Sequence, residues 1–187
     1  MLNKFTLNLL IGSLIIFILG SLFYLNINTK SDDHLISLYD QNLSNYKELT
    51  GEINRYFNDS TKDNLDISHY YTDDFVFHSF PASFKKGLTT IKDDYIQGFI
   101  RMRDMNMSIN IGHSIYLPGI DQDSYEIDGS VRVYYGSLLS LDTNTVEFSG
   151  YRTVNFRDGK VSEIWEWADY GGVNLLLNGG DSKLDEF

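Results

Sequence analysis

FRDGKVSEIWEWADY, residues 156–170, places a tight-turn signal between two alternating runs and crowds two tryptophans and several ionisable groups into one short stretch. Asp158-Gly159 is the dipeptide that a two-residue type I′ turn requires, because both central residues need positive φ. The register follows from the turn. Arg157 faces Lys160, Phe156 faces Val161, Val154 faces Glu163, Arg152 faces Trp165, Gly150 faces Trp167 and Phe148 faces Asp169. One face of the hairpin then collects its large apolar side chains. The other receives Asn155, Ser162, Thr153, Tyr151, Glu166 and Ser149 and is mostly polar. A three-residue loop with a glycine bulge would set Val161 beside Asn155, but it scatters the apolar set.

On this register Arg152, Glu163 and Asp169 point to the buried side. An isolated charge there is costly, so each needs a partner. Arg152 and Glu163 are diagonal neighbours, and the guanidinium can lie over the Trp165 ring. Asp169 has no cation in reach, sits opposite Phe148, and adjoins the Trp167 indole, for which Gly150 leaves space. Burial beside aromatic rings suits a carboxyl group to proton transfer near neutral pH. The plainer role for Asp169 is a hydrogen bond to the backbone at the strand end.

Working outward, Leu35, Leu38, Tyr39, Leu43, Tyr46, Leu49, Ile53, Tyr56 and Phe57 recur at three and four, the stripe of an amphipathic helix that Ser31-Asp32-Asp33 would start and Asn58-Asp59-Ser60 would end. A shorter helical piece is expected over Lys62 to Tyr70, then an apolar strand at Phe75-Val76-Phe77. Thr89 or Thr90 can cap a third helix reaching Asp104. Beyond Met105 the period is two. Met105, Met107, Ile109, Ile111, Ile115 and Leu117 share one strand face, which by the same period includes His113. Ile127, Val131, Val133 and Tyr135 mark a second strand, Val146, Phe148, Val154 and Phe156 a third, and Val161, Trp165 and Trp167 a fourth. Helices followed by a run of antiparallel strands give an α+β class.

The first thirty residues differ from the rest. Between Leu9 and Leu25 only Gly12, Ser13, Gly20, Ser21 and Tyr24 interrupt Leu, Ile and Phe, and no charge occurs from Phe5 to Thr29. That length matches a hydrocarbon layer. Lys4 precedes it and Asp32-Asp33 follow, an arrangement that favours a cytoplasmic N-terminus and an extracytoplasmic domain. A cleaved signal peptide is the rival, although Ile18-Leu19-Gly20 and Leu19-Gly20-Ser21 are poor cleavage patterns. Residues 1–30 are thus read as an anchor or signal segment, 31–178 as one domain and 179–187 as a tail.

A net charge of −11, from 26 acids against 15 Lys plus Arg, repels phosphate backbones, so no nucleic acid partner is expected. No cysteine means no disulfide and no thiolate metal site. Two histidines with Asp169 or Glu163 lack the spacing of a metal site, and no phosphate loop or dinucleotide fingerprint occurs; neither metal nor cofactor is expected.

The succession of long helix, short helix, Tyr70-Tyr71-Thr72-Asp73-Asp74-Phe75-Val76-Phe77-His78, Gly87 before a helix with Ile91, then long strands ending in Phe156–Val161 and Trp167-Ala168-Asp169, resembles the SnoaL-like branch of the nuclear transport factor 2-like superfamily over residues 35–178. The resemblance implies a cone, a curved antiparallel sheet wrapped around helices and enclosing a pocket, commonly homodimeric through the outer sheet face. In polyketide cyclases and ketosteroid isomerases of that kind, pocket Asp, His and Tyr residues move protons on an enolisable substrate. Asp169 matches the acid at the end of the last strand, and His78 a position that commonly lines the pocket.

Three functions compete. A binding module would hold a small apolar or amphipathic molecule against Trp165, Trp167 and Tyr135, with Arg152, Glu163 or Asp169 fixing its orientation. An isomerase, cyclase or dehydratase would use Asp169 with His78 or His113 for proton transfer. An interaction domain would recruit a protein through a polar outer sheet face.

Overall fold

The computed structural model describes residues 4–81 and 86–179, with the side chains of residues 4–15 and 22–32 outside that description. Its order is α1 (Lys4–Asn58), a 3-10 turn (Ser68–Tyr70), β1 (Tyr71–Ser79), β2 (Leu88–Ile91), α2 (Lys92–Asp104), β3 (Met107–Ile120), β4 (Ile127–Leu141), β5 (Asn144–Arg157), β6 (Lys160–Ala168) and α3 (Tyr170–Leu177). The strands form one sheet, β2-β1-β6-β5-β4-β3. Every neighbouring pair is antiparallel except β1 and β6, which run parallel and depart from the all-antiparallel expectation.

The amphipathic stripe of α1 is buried as its spacing predicts: Tyr46, Leu49, Ile53 and Tyr56 pack into the core with Ile67, Tyr71, Phe75, Val131, Val133, Val154 and Ile164. Polar residues on the same helix tie it to the sheet. Asn42 and Asn45 donate to the Gly129 and Gly159 carbonyls at 2.8 and 2.9 Å, and the Asn54 amide pairs with both backbone groups of Ile111 on the edge strand β3. The helix does not start at Ser31. A cap serves N–H groups that lack upstream carbonyls, and here the preceding residues are helical and supply them. The anchor expected over Leu9–Leu25 falls mostly on residues whose side chains lie outside the description; among the described residues no helix is long and apolar enough to cross a membrane.

Two helical expectations shrink. The piece expected from Lys62 to Tyr70 is only a single 3-10 turn, because the Asp59 carboxylate captures the Thr61 N–H at 2.9 Å and turns the chain locally. Thr89 and Thr90 cap nothing; they pair with His78 and Phe77 along the free edge of β1, so α2 begins only at Lys92.

The hairpin of β5 and β6 closes as the dipeptide requires, with Asp158 at φ 53° and Gly159 at φ 74°. Arg157 faces Lys160 and Phe156 faces Val161. The register then slips: Asn155 faces Glu163, so Ser162 is an extra residue on β6. Because side chains alternate with period two, one inserted residue exchanges the faces of everything beyond it. Ile164 and Glu166 turn into the core, at 1% exposure each, while Glu163, Trp165 and Trp167 turn outward. A second slip on β3, where Gly112 and His113 together face only Gly136 on β4, does the same there: Ile115 and Leu117 become exposed and Tyr116 turns in. The outer sheet face is therefore not mostly polar; it carries Ile115, Leu117, Tyr134 and Trp167.

Deleting Ser162 sets Glu163 directly after Val161 and keeps Glu166 opposite Arg152, so the unfolding free energy should change by less than about 1 kcal/mol. Denaturant titration measures this. A loss of about 3 kcal/mol or more, the scale of a buried charge left unpaired, would mean that Glu166 no longer reaches Arg152 and that Ser162 is not a simple insertion in the pairing.

Candidate functional site

The cone encloses a cavity of about 480 Å³ between the concave sheet and α2 and α3. Its wall is aromatic and aliphatic. Tyr95, Phe99 and Met102 fall on one face of α2, and Phe77, Tyr135 and Phe148 come from three strands. The rings meet tilted or edge-on: the Tyr95 ring centroid lies 4.7 Å from Phe77, 5.2 Å from Phe99 and 5.3 Å from Phe75. Exposed Asp94, Arg101 and Asn174 also line the cavity and supply a polar rim.

One buried ion pair interrupts the apolar wall. Arg152, 8% exposed, donates its Nε–H to the Glu166 carboxylate, and Nη1 donates to the Tyr46 hydroxyl at 3.3 Å. The guanidinium carbon sits 4.4 Å from the centre of the Tyr135 ring. Gly150 makes this packing possible, since a Cβ there would collide with the hydroxyl end of Tyr135. Burial works against the Arg152 charge, but the Tyr46, Tyr135 and Tyr95 oxygens more than offset it and hold its pKa above the ordinary guanidinium value. Burial likewise pushes the Tyr71, Tyr95 and Tyr135 hydroxyls up, so all three remain neutral donors at physiological pH. The Tyr71 hydroxyl is buried without a hydrogen-bond partner among the described residues.

Of the residues singled out from the sequence, Tyr135 and Arg152 line this cavity and the other six do not. Asp169 is exposed at the N-terminus of α3, where its carboxylate accepts the Gly172 N–H at 2.9 Å; it takes the backbone-bonding role and is not buried. His113 is exposed, because the β3 slip falls at Gly112-His113 and breaks the alternation that turned it inward. Glu163, Trp165 and Trp167 face outward for the reason given by Ser162. His78 stacks on Trp165 on that outer face, 4.0 Å between ring centres, with Nε2 3.6 Å from the Glu163 carboxylate. The partner of Arg152 is thus Glu166 rather than Glu163.

Glu166 escaped the sequence reading because regular alternation assigns it to the polar face. Tyr95, Phe99 and Met102, at spacings of four and three on α2, carried a legible signal. Among the described residues no group of three His, Asp or Glu side chains is placed to hold a metal ion.

Truncating Glu166 to Ala should cost about 3–5 kcal/mol by leaving Arg152 buried and unpaired, whereas the double change Arg152→Met with Glu166→Leu should recover most of that. A double variant no more stable than the single one would place the cost elsewhere. Asp169→Ala should cost only about 1 kcal/mol, the value of a helix cap, and thermal unfolding separates the two cases.

No protein-family model matches the sequence, and no curated protein matches it. Solved structures do. A phenazine biosynthesis-related protein from Pseudomonas aeruginosa is similar with a TM-score of 0.57 at 9% identity, over 81% of this chain and 94% of that one. A protein assigned as a polyketide cyclase from Xanthomonas campestris pv. campestris is similar with a TM-score of 0.50 at 14% identity, over 73% and 98%. A nuclear transport factor 2-like protein from Burkholderia xenovorans is similar with a TM-score of 0.50 at 13% identity, over 76% and 97%. At such identities the likeness concerns architecture, and with the curved six-stranded sheet and the cavity beneath it the conclusion is that this chain has the nuclear transport factor 2-like fold.

Proposed function

We propose that the cone binds a small apolar or amphipathic molecule whose polar end meets Arg152 and the neighbouring tyrosine hydroxyls. The observation that carries this reading is a buried, charged pair lining an otherwise aromatic cavity of about 480 Å³, a volume within the range of small-molecule sites. Arg152 commits Nε–H and one Nη1 contact within the protein, and its Nη2 makes no hydrogen bond among the described residues. An acceptor oxygen on the ligand suits that group. The similarity to a phenazine biosynthesis-related protein and to a protein assigned as a polyketide cyclase is in keeping with a small molecule as the occupant.

Proton transfer on an enolisable ligand is the second reading, and it rests on Glu166, a cavity-lining residue, instead of the exposed Asp169. The uncharged run Leu9–Leu25 supports tethering to a membrane with the cone on the extracytoplasmic side. Exposed Ile115, Leu117 and Leu138 on β3 and β4 support a homodimer through that half of the outer sheet face.

Gly98 offers a direct test. It lines the cavity from α2, and a Cβ there meets nothing within 4 Å. Gly98→Phe should fill the cavity while keeping or slightly raising stability, since glycine within a helix is unfavourable by about 1 kcal/mol. Native mass spectrometry of the full chain in detergent should show a retained small molecule that the variant has lost. Retention by both proteins overturns the cavity reading; turnover of an enolisable ketone that disappears in Glu166→Gln would establish the second one. Tethering predicts that the protein stays in the pellet after carbonate extraction, and release into the supernatant refutes it.

A further inference from the structure

The residues turned outward by Ser162 build a second concavity. It is a groove of about 530 Å³ on the convex face of the sheet, with Trp165 and Trp167 along one side, Thr153 and Asn155 between, and Arg132 and Asp128 opposite. Asp121, Gln122 and Asp123 close one end. Strand register defines its cross-section: His78 on β1 faces Trp165 on β6, Trp165 faces Thr153 on β5, and Thr153 faces Arg132 on β4. The His78 ring covers one face of the Trp165 indole at 4.0 Å and 19°. Across the strands from Trp165 stands Thr153, a small side chain, with Arg132 beyond it. Two strand spacings separate Trp165 from Arg132, roughly 10 Å, which admits one ring between them.

The indole is held in place before any ligand arrives. Trp165 Nε1 donates to the Glu163 carboxylate at 3.3 Å, and the Asn155 amide donates to the same oxygen at 3.1 Å. Phe80 stacks against both indoles, 5.8 Å from Trp165 and 4.9 Å from Trp167. Trp167 nevertheless remains 42% exposed, a large apolar surface left in water. Across the groove stands Arg132, whose Nη2 lies 3.7 Å from the Asp128 carboxylate.

From this geometry we infer that the groove is a saccharide-binding site. A pyranose ring has an apolar C–H face and a rim of hydroxyls, each both donor and acceptor. The groove matches that pattern with the 42% exposed Trp167 indole beside Trp165, a guanidinium donor, carboxylate acceptors, and the hydroxyl and amide of Thr153 and Asn155. Other classes fit less well. An organic cation stacked on the indole would face Arg132, and an anion would face Asp121, Asp123 and Asp128. This site is separate from the cavity inside the cone and does not depend on the reading given to it.

The protein reports on the groove by itself, since Trp165 and Trp167 are its only two tryptophans and both line it. Intrinsic tryptophan fluorescence of the full chain, in a detergent without a sugar headgroup, is titrated with maltotriose, cellotriose and chitotriose. The expected result is a saturable change with at least one of them. Binding measured by calorimetry should weaken at least about tenfold in Thr153→Arg, which fills the slot from an outward-facing position, and in Trp165→Ala. No response to any of the three sugars overturns the proposal. So does a response that survives Thr153→Arg unchanged, or saturable binding of choline or adenosine in the absence of saccharide binding.

Discussion

The buried contact between Arg152 and Glu166 is the constraint on which the rest of this structure depends. A guanidinium inside a cone of aromatic and branched side chains is tolerable only if a carboxylate reaches it, and the carboxylate must come from a neighbouring strand. Regular pairing would offer Trp165 directly opposite Arg152. The extra residue Ser162 advances β6 by one position and offers Glu166 instead. That single insertion brings Ile164 into the core, places a charged pair on the cavity wall, and sends two indoles to the far side of the sheet. The inner cavity and the outer groove are two consequences of one irregularity.

The cavity's polar group is also the product of small residues placed where large ones cannot be. Gly150 lies opposite Tyr135 and lets its ring lean over β5 toward Arg152. Tyr46 reaches the same guanidinium from α1, and Tyr95 borders the space from α2. Elements far apart in the chain thus converge on one cation. Such convergence explains why the arrangement has no short sequence signature.

Irregularity of the same kind acts on β3. Asn54 on α1 binds both backbone groups of Ile111 just before Gly112 and His113 break the pairing with β4. Beyond that point Tyr116 enters the interior, meeting Tyr46 edge-on at 6.5 Å, while Ile115 and Leu117 go outward. Slips in both β3 and β6 increase the bend of the sheet, as such insertions do, and a bent sheet is what leaves room beneath it.

Local chemistry was legible in the sequence. The three-and-four spacing from Tyr46 to Tyr56 has one buried face whatever it packs against, Asp158-Gly159 demands its turn because few other residues accept positive φ, and Arg152 lies inward on either register of the hairpin. What the alternating pattern cannot state is which face is which once a residue has been inserted. Trp165 and Trp167, amphipathic enough for either side, read equally well as wall or as surface, and Asp169 reads as a pocket acid until α3 takes it as a cap. Those choices were made by Ser162, by the ring of His78 on a parallel strand and by the N–H of Gly172, because facing is a property of paired strands and packed helices and not of any one segment.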